Sequence, residues 1–232
     1  MNTNHNLQLL SAKLPFWSHL SAPEQQFLSQ SISLCDYKKN QTIHTAEFEC
    51  IGLLLVKSGM IRIFLISEEG KEVTLYRISE GEVCVLSAAC VLPSITFDIH
   101  IEAVSDTRLL QISAPAFSRL MKENIYVEAF AYKTASLRFS DVMWTMQQIL
   151  FMRFDQRLAV FLLEESAARD TDVLKITHEQ IAKLVGSARE VVTRMLNYFA
   201  EEGWVTLSRG KIAVKDRDAL KSLLQHSLPQ QR

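Results

Sequence analysis

The sequence predicts an α+β chain in three parts: a β-rich first half, one long helix, and a compact helical unit closed by a small hairpin. Three observations predict this. Short apolar β segments between about Ile32 and Ile112 are punctuated by turn glycines, Gly52, Gly59, Gly70 and Gly81. From Asn124 to Phe151 there is neither Pro nor Gly, and apolar residues recur in helical steps. Beyond Arg153, amphipathic stretches alternate with turn residues and end in the alternating run WVTLSRGKIAV.

Each element follows from local chemistry. SAPEQQFLSQ reads as a helix with Ser21 as N-cap and Pro23 in the first turn. IGLLLVKSG and MIRIFLIS are strands, and SEEGKE is a hairpin turn before VTLYRI. Many short strands at such spacing specify a barrel or a sandwich. In the long helix, Ala129, Tyr132, Ser136, Phe139, Met143, Met146 and Leu150 alternate gaps of three and four, the spacing of a coiled-coil seam. A second row, Phe130, Leu137, Trp144 and Phe151, repeats every seven residues. Two apolar stripes need two covering surfaces; periodicity leaves open whether both lie within one subunit or one faces a symmetry mate. Further on, FDQRLAVFLLEES is amphipathic and TDVLKI is a short strand. THEQIAKLV opens with a capping box, Thr177 with Gln180, and Gly186 separates it from a helix over Ser187 to Glu202. Helix, glycine turn, helix and hairpin form the outline of a winged helix-turn-helix, with the two helices at about 178–200.

Composition sets the bounds. A chain of 232 residues, 48% hydrophobic and 22% charged, can bury one large or two modest cores. The start of the chain lacks the pattern of a signal peptide, and no run approaches 18 uncharged apolar residues, so a cytoplasmic protein without membrane contact is expected. The net charge of -1 gives no sign of a polyanionic partner, yet Lys175 to Arg217 holds eight Lys or Arg against five acids. Four cysteines, Cys35, Cys50, Cys84 and Cys90, are expected as reduced thiols, and none has the Cys-x2-Cys spacing of a zinc site.

In the second helix of the pair, Val192, Met195, Leu196 and Phe199 fall on one inward stripe. Glu190, Thr193, Arg194 and Asn197 then point outward, with Arg189 in the exposed first turn. Arginine can bond O6 and N7 of guanine together, and a carboxylate can accept from cytosine N4, so this face suits the major groove. A solvated face is the other reading: Glu190 and Arg194 have the spacing of an i, i+4 ion pair, and Ser187 with Glu190 that of a capping box.

THEQIAKLVGSAREVVTRMLNYFAEEGWVTLSRGKIAVKD resembles the DNA-binding domain of the Crp/Fnr family of bacterial transcription regulators, whose recognition helix carries an S-R-E-x-V-x-R type pattern. Arg189, Glu190, Val192 and Arg194 match it, and Ala188 stands where the family often has Ser. The resemblance implies a jelly-roll-like β-roll sensor over residues 1–123, a dimerisation helix over 124–152 and a winged helix-turn-helix over 153–232. It implies no catalysis. It implies a homodimer on a pseudo-palindromic site in double-stranded DNA, with RNA polymerase as a further partner. DNA contact is assigned to Thr177, Ser187, Arg189, Glu190, Thr193 and Arg194, and to Arg209 and Lys211 in the hairpin turn.

The same resemblance puts the effector near Gly81, Glu82, Cys84, Ser87 and Cys90. Family members that bind cyclic AMP follow the Gly-Glu pair with a short helix and an arginine that neutralises the phosphate. Here GEVCVLSAACVLPSITF contains no Arg or Lys, so cyclic AMP is disfavoured unless Arg77 or Arg138 takes that role. An iron-sulfur cluster is disfavoured too, because no cysteine precedes Cys35. Cys84 and Cys90 are either small buried residues or redox-sensing thiols, and His44, His100 or a cysteine is an axial ligand if haem is bound. The effector and any cofactor stay unknown. The rival readings are a signalling module that does not touch DNA, and an enzyme with a cysteine nucleophile, for which no general base is evident.

Overall fold

The computed structural model describes residues 3–45, 50–92 and 99–224, without the side chains of residues 3–6 and 89–91. The chain divides into two compact units, Met1–Leu65 with Leu75–Val142, and Ile66–Thr74 with Met143–Arg232.

The first unit opens with helix α1 (Thr3–Lys13), a 3-10 turn (Pro15–His19) and α2 (Ala22–Gln30). A capping box starts α2: Ser21 N–H donates to Glu24 Oε2 at 2.6 Å, and Glu24 N–H donates to Ser21 Oγ at 3.4 Å. The Ser21 hydroxyl, donating to Glu24 Oε2 at 2.6 Å, then the Ser21 N–H and the Asn124 amide hold the Glu24 carboxyl below its ordinary pKa. The strands are β1 (Ile32–Tyr37), β2 (Thr42–His44), β3 (Leu53–Ser58), β4 (Met60–Ile66), β5 (Glu72–Ser79), β6 (Val83–Cys84), β7 (His100–Ala103) and β8 (Thr107–Ile112). They form two four-stranded sheets, ordered β1-β8-β3-β6 and β2-β7-β4-β5. Leu53, Leu54, Leu55 and Val56 are all buried, because β3 is an inner strand between β8 and β6. Ile61, Ile63, Ile101 and Ala103 share the core with them. Gly52, at φ +87°, brings its backbone so close to β8 that a Cβ would lie 2.0 Å from the Ile112 carbonyl oxygen.

Helices α3 (Ala114–Glu123) and α4 (Ile125–Phe151) follow. Against the roll, α4 buries Val127 and Ala131, with Phe130, Ala135 and Val142 partly buried beside them. Phe130 meets Phe16 edge-on with ring centroids 5.1 Å apart. The seven-residue row does not stay on this stripe: Leu137 is 61% and Phe151 73% exposed. Trp144, between them in the row, is half-buried, so the row does not follow one face. Ala129, Tyr132, Ser136, Phe139, Met143, Met146 and Leu150 are all exposed.

The second unit contains α5 (Phe154–Ala168), β9 (Val173–Leu174), α6 (His178–Val185), α7 (Arg189–Glu201), β10 (Val205–Ser208), β11 (Lys211–Val214) and α8 (Arg217–Ser222). Strand order in its sheet is β10-β11-β9, antiparallel throughout. Leu158, Leu162, Ile181, Val192, Leu196, Phe199 and Ile212 make its core. Thr177 and Gln180 form the capping box of α6, and Gly186, left-handed at φ 63°, ends it. The turn places Ala188, not Ser187, at the N-cap of α7, so the Ser187–Glu190 capping box does not form. No helix among the described residues is long and apolar enough to cross a membrane, and among them no cluster of His, Cys, Asp and Glu is placed to hold a metal.

Candidate nucleic-acid interface and effector region

With Val192, Leu196 and Phe199 fully buried, the opposite side of α7 is fixed by helical geometry. Arg189, Glu190, Arg194 and Asn197 are exposed there and line one open groove with Thr193 and Tyr198. The Glu190–Arg194 ion pair is not made; neither arginine nor Glu190 has a salt-bridge partner among the described residues. Thr193 is half-buried and committed. Its Oγ1 donates to the Arg189 carbonyl at 2.9 Å and lies 2.9 Å from His178 Nδ1. Thr177 uses its hydroxyl to cap α6, accepting from Gln180 N–H at 3.2 Å. Ser187 sits in the turn, its N–H donating to the Ala182 carbonyl. Arg209 and Lys211 are exposed at the β10–β11 turn.

His178 is the residue sequence reading missed. Nothing in its spacing marks it; only the N-cap at Thr177 fixes it as the first residue of α6. Burial, and then the nearby Arg189 charge, hold its pKa below the ordinary histidine value.

In the first unit the Gly-Glu pair is tied into the roll. Gly81 N–H donates to the Val56 carbonyl at 2.8 Å, and Val56 N–H to the Glu82 carbonyl at 3.0 Å. The Glu82 carboxylate accepts from Ser79 N–H at 2.8 Å and from the Arg138 guanidinium of α4 at 3.3 Å. Arg138 also donates to Asp141 at 3.0 Å, and its guanidinium carbon lies 5.2 Å from the centre of the Tyr76 ring. Burial works against the Arg138 charge, but its hydrogen bonds to the Asp141 and Glu82 carboxylates, together with their negative charges, outweigh it and raise the pKa. Arg138 Nε and the Tyr76 hydroxyl are buried without a hydrogen-bond partner among the described residues.

Cys84 and Ser87 are buried, and Ser87 Oγ donates to the Cys84 carbonyl at 2.8 Å. Burial pushes the Cys84 thiol well up, opposite to what a reactive thiolate needs. Cys50 is disulfide-bonded, against the expectation of reduced thiols, and its Sγ lies 3.5 Å from the Ser87 carbonyl oxygen. Spacing along the chain cannot reveal a pairing that depends on how separate segments meet. The Cys90 side chain and residues 93–98 lie outside the described residues. His100 lies beside Phe64, ring centroids 5.4 Å apart, and His44 is half-buried on β2.

Comparison with known proteins agrees with this arrangement. Residues 34–124 match the cyclic nucleotide-binding domain family, and residues 156–223 the Crp-like helix-turn-helix domain family. A solved transcriptional regulator of the Crp/Fnr family from Eubacterium rectale is 44% identical and superposes with a TM-score of 0.87, over 92% of this chain and 99% of that one. The transcriptional regulator SdrP of Thermus thermophilus is 29% identical, the match covering 73% of this chain and 82% of the relative. The cyclic AMP receptor protein of the same organism is 28% identical over 74% and 79%.

The thiols give a direct check. In the native protein iodoacetamide should label half-buried Cys35 first and Cys84 slower by on the order of tenfold or more, the gap closing in denaturant. Peptide mass spectrometry reads this, and rapid native labelling of Cys84 would return it to the list of sensing thiols.

Proposed function

Because this chain belongs to the Crp/Fnr family and is a DNA-binding transcription regulator, we propose that it acts as a homodimer, reading a pseudo-palindromic site through α7. One observation carries this reading: α7 keeps its apolar stripe in the core and presents Arg189, Glu190 and Arg194 without ion-pair partners. In this reading these three contact base edges, while Arg209 and Lys211 in the hairpin turn hold backbone phosphate. Thr193 and Thr177 support the helices instead, since their hydroxyls are already engaged, and Ser187 joins the phosphate contacts in this reading.

The dimer rests on α4. Tyr132, Phe139, Met143, Met146 and Leu150 are 42%, 64%, 37%, 46% and 65% exposed, an apolar stripe of the spacing that pairs helices. Two copies joined there are related by a two-fold axis, which the DNA site then mirrors. An effector acting on the first unit would change function by favouring one of two packings of the paired helices.

That effector is not a cyclic nucleotide. Relatives named for cyclic AMP do not transfer that ligand, because residues 84–97 of this chain supply no Arg or Lys. Arg138, the cation that does reach Glu82, is already shared between two carboxylates. A buried phosphate would lack the charge-assisted bonds it needs.

Four measurements test these points. On the best duplex selected from a random library, Arg194→Ala should lose about 1 to 3 kcal/mol and relax one position of each half-site. Lys211→Ala should weaken all sequences alike and flatten the salt slope by about one unit. An Arg194→Ala variant with full affinity and selectivity would overturn base reading by α7. Phe139→Glu should sediment as a monomer; a dimeric variant moves the interface elsewhere. Titration calorimetry should show no binding of cyclic AMP or cyclic GMP, and micromolar binding of either would reverse that conclusion.

A further inference from the structure

Between α6, α7 and the hairpin turn lies a cleft of about 260 Å³. His178 and Glu179 line it from α6, Arg189 from α7, and Ser208 and Lys211 from the hairpin. The charged groups among these lining residues are Glu179 on the helix of His178, Arg189 on α7 and Lys211 on the hairpin. Positive charge exceeds negative, and the N-terminal end of α6 adds its partial positive charge.

The hydrogen bonds around His178 fix its proton. A threonine hydroxyl has one proton to give. Thr193 gives that proton to the Arg189 carbonyl at 2.9 Å, so in its second contact, 2.9 Å from His178 Nδ1, it must accept. The ring therefore carries its hydrogen on Nδ1. When the ring is neutral, Nε2 is a bare acceptor, and among the described residues no protein group donates to it. In the neutral ring this bare acceptor suits a donor such as water; once Nε2 gains a proton, the cleft presents an N–H donor beside two cations and suits an anion.

We propose that this cleft receives one backbone phosphate of duplex DNA, and that His178 takes up one proton from solvent as it does so. The ring then donates from Nε2 to the phosphate and from Nδ1 to Thr193. This rests on the DNA-binding reading of α7 and the wing, and adds a proton to that equilibrium. DNA is the occupant because a strand passing from Arg189 to the Ser208–Lys211 turn must cross the cleft that both line.

The sign follows from the two states. Without DNA, burial and Arg189 hold the His178 pKa below its ordinary value. A bound phosphate favours the charged ring and raises it. Proton uptake is therefore confined to the window between the free and bound pKa values. Affinity rises as pH falls through that window and levels off below the free-state pKa.

The test measures binding of the full-length protein, at fixed ionic strength, to a random-sequence duplex and to the best selected duplex. Calorimetry in buffers of different ionisation enthalpy counts protons, for the wild type and for His178→Gln, which keeps an N–H donor but does not titrate. The wild type should gain up to about tenfold in affinity per unit fall in pH, and the variant should lack that increment. Equal proton uptake by the two proteins would overturn the proposal and leave DNA binding intact. Absence of salt-dependent binding to either duplex at every pH would overturn both. Should the variant fail to fold, 15N spectra of the wild-type imidazole decide: Nδ1–H neutral when free and doubly protonated on DNA supports the proposal, and an unchanged ring on DNA refutes it.

Discussion

A helix with 3.6 residues per turn buries one stripe against the body that carries it, and that choice dictates what the remaining side presents. The exposed faces of α7 and α4 both follow from this constraint. Sinking Val192, Leu196 and Phe199 into the second unit leaves Arg189, Glu190 and Arg194 nowhere to go but outward. Seating Val127 and Ala131 on the first unit turns Tyr132, Phe139 and Met143 away from it. The two outcomes are chemical opposites. One face offers guanidinium and carboxylate groups without protein partners; the other offers aromatic rings and thioethers that water solvates poorly.

A second, local constraint governs the effector region. Glu82 is fixed by the Ser79 amide and by Arg138, so the end of the roll and the middle of α4 share one charge cluster. Removing either partner of such a half-buried pair leaves the other charge uncompensated. The cluster is incomplete in a specific way: the Tyr76 hydroxyl and Arg138 Nε are both buried with their hydrogen bonds unmet. Unmet buried donors cost about 1 to 3 kcal/mol each, a cost that water or a small hydrogen-bond acceptor removes.

Much of the architecture was legible because it rests on short-range chemistry. Thr177 with Gln180 forms the capping box its spacing announces, and the alternating run around Ser208–Lys211 is the hairpin. The inward stripe of α7 was readable from its period, although Met195 is only partly buried. What failed to show depends on contacts remote along the chain or on competition between equally plausible local bonds. Ser187 and Glu190 have capping-box spacing, yet Gly186 sets a turn that makes Ala188 the N-cap. Glu190 and Arg194 have ion-pair spacing and do not pair. The bond between His178 and Thr193 spans a turn and two helices, and the disulfide at Cys50 no pattern in the chain announces.

The bare stripe on α4 also ties this protein's persistence to its abundance. If a second copy covers it, folding and pairing are linked, and stability follows mass action. A few molecules in a cell, or a chain just released from synthesis, would spend more time with Phe139, Leu150 and Phe151 in water and open to proteases and chaperones. Abundant chains would shelter one another. Turnover would then fall as the concentration rises, so the regulator's level would resist small declines and collapse under large ones, without any ligand taking part.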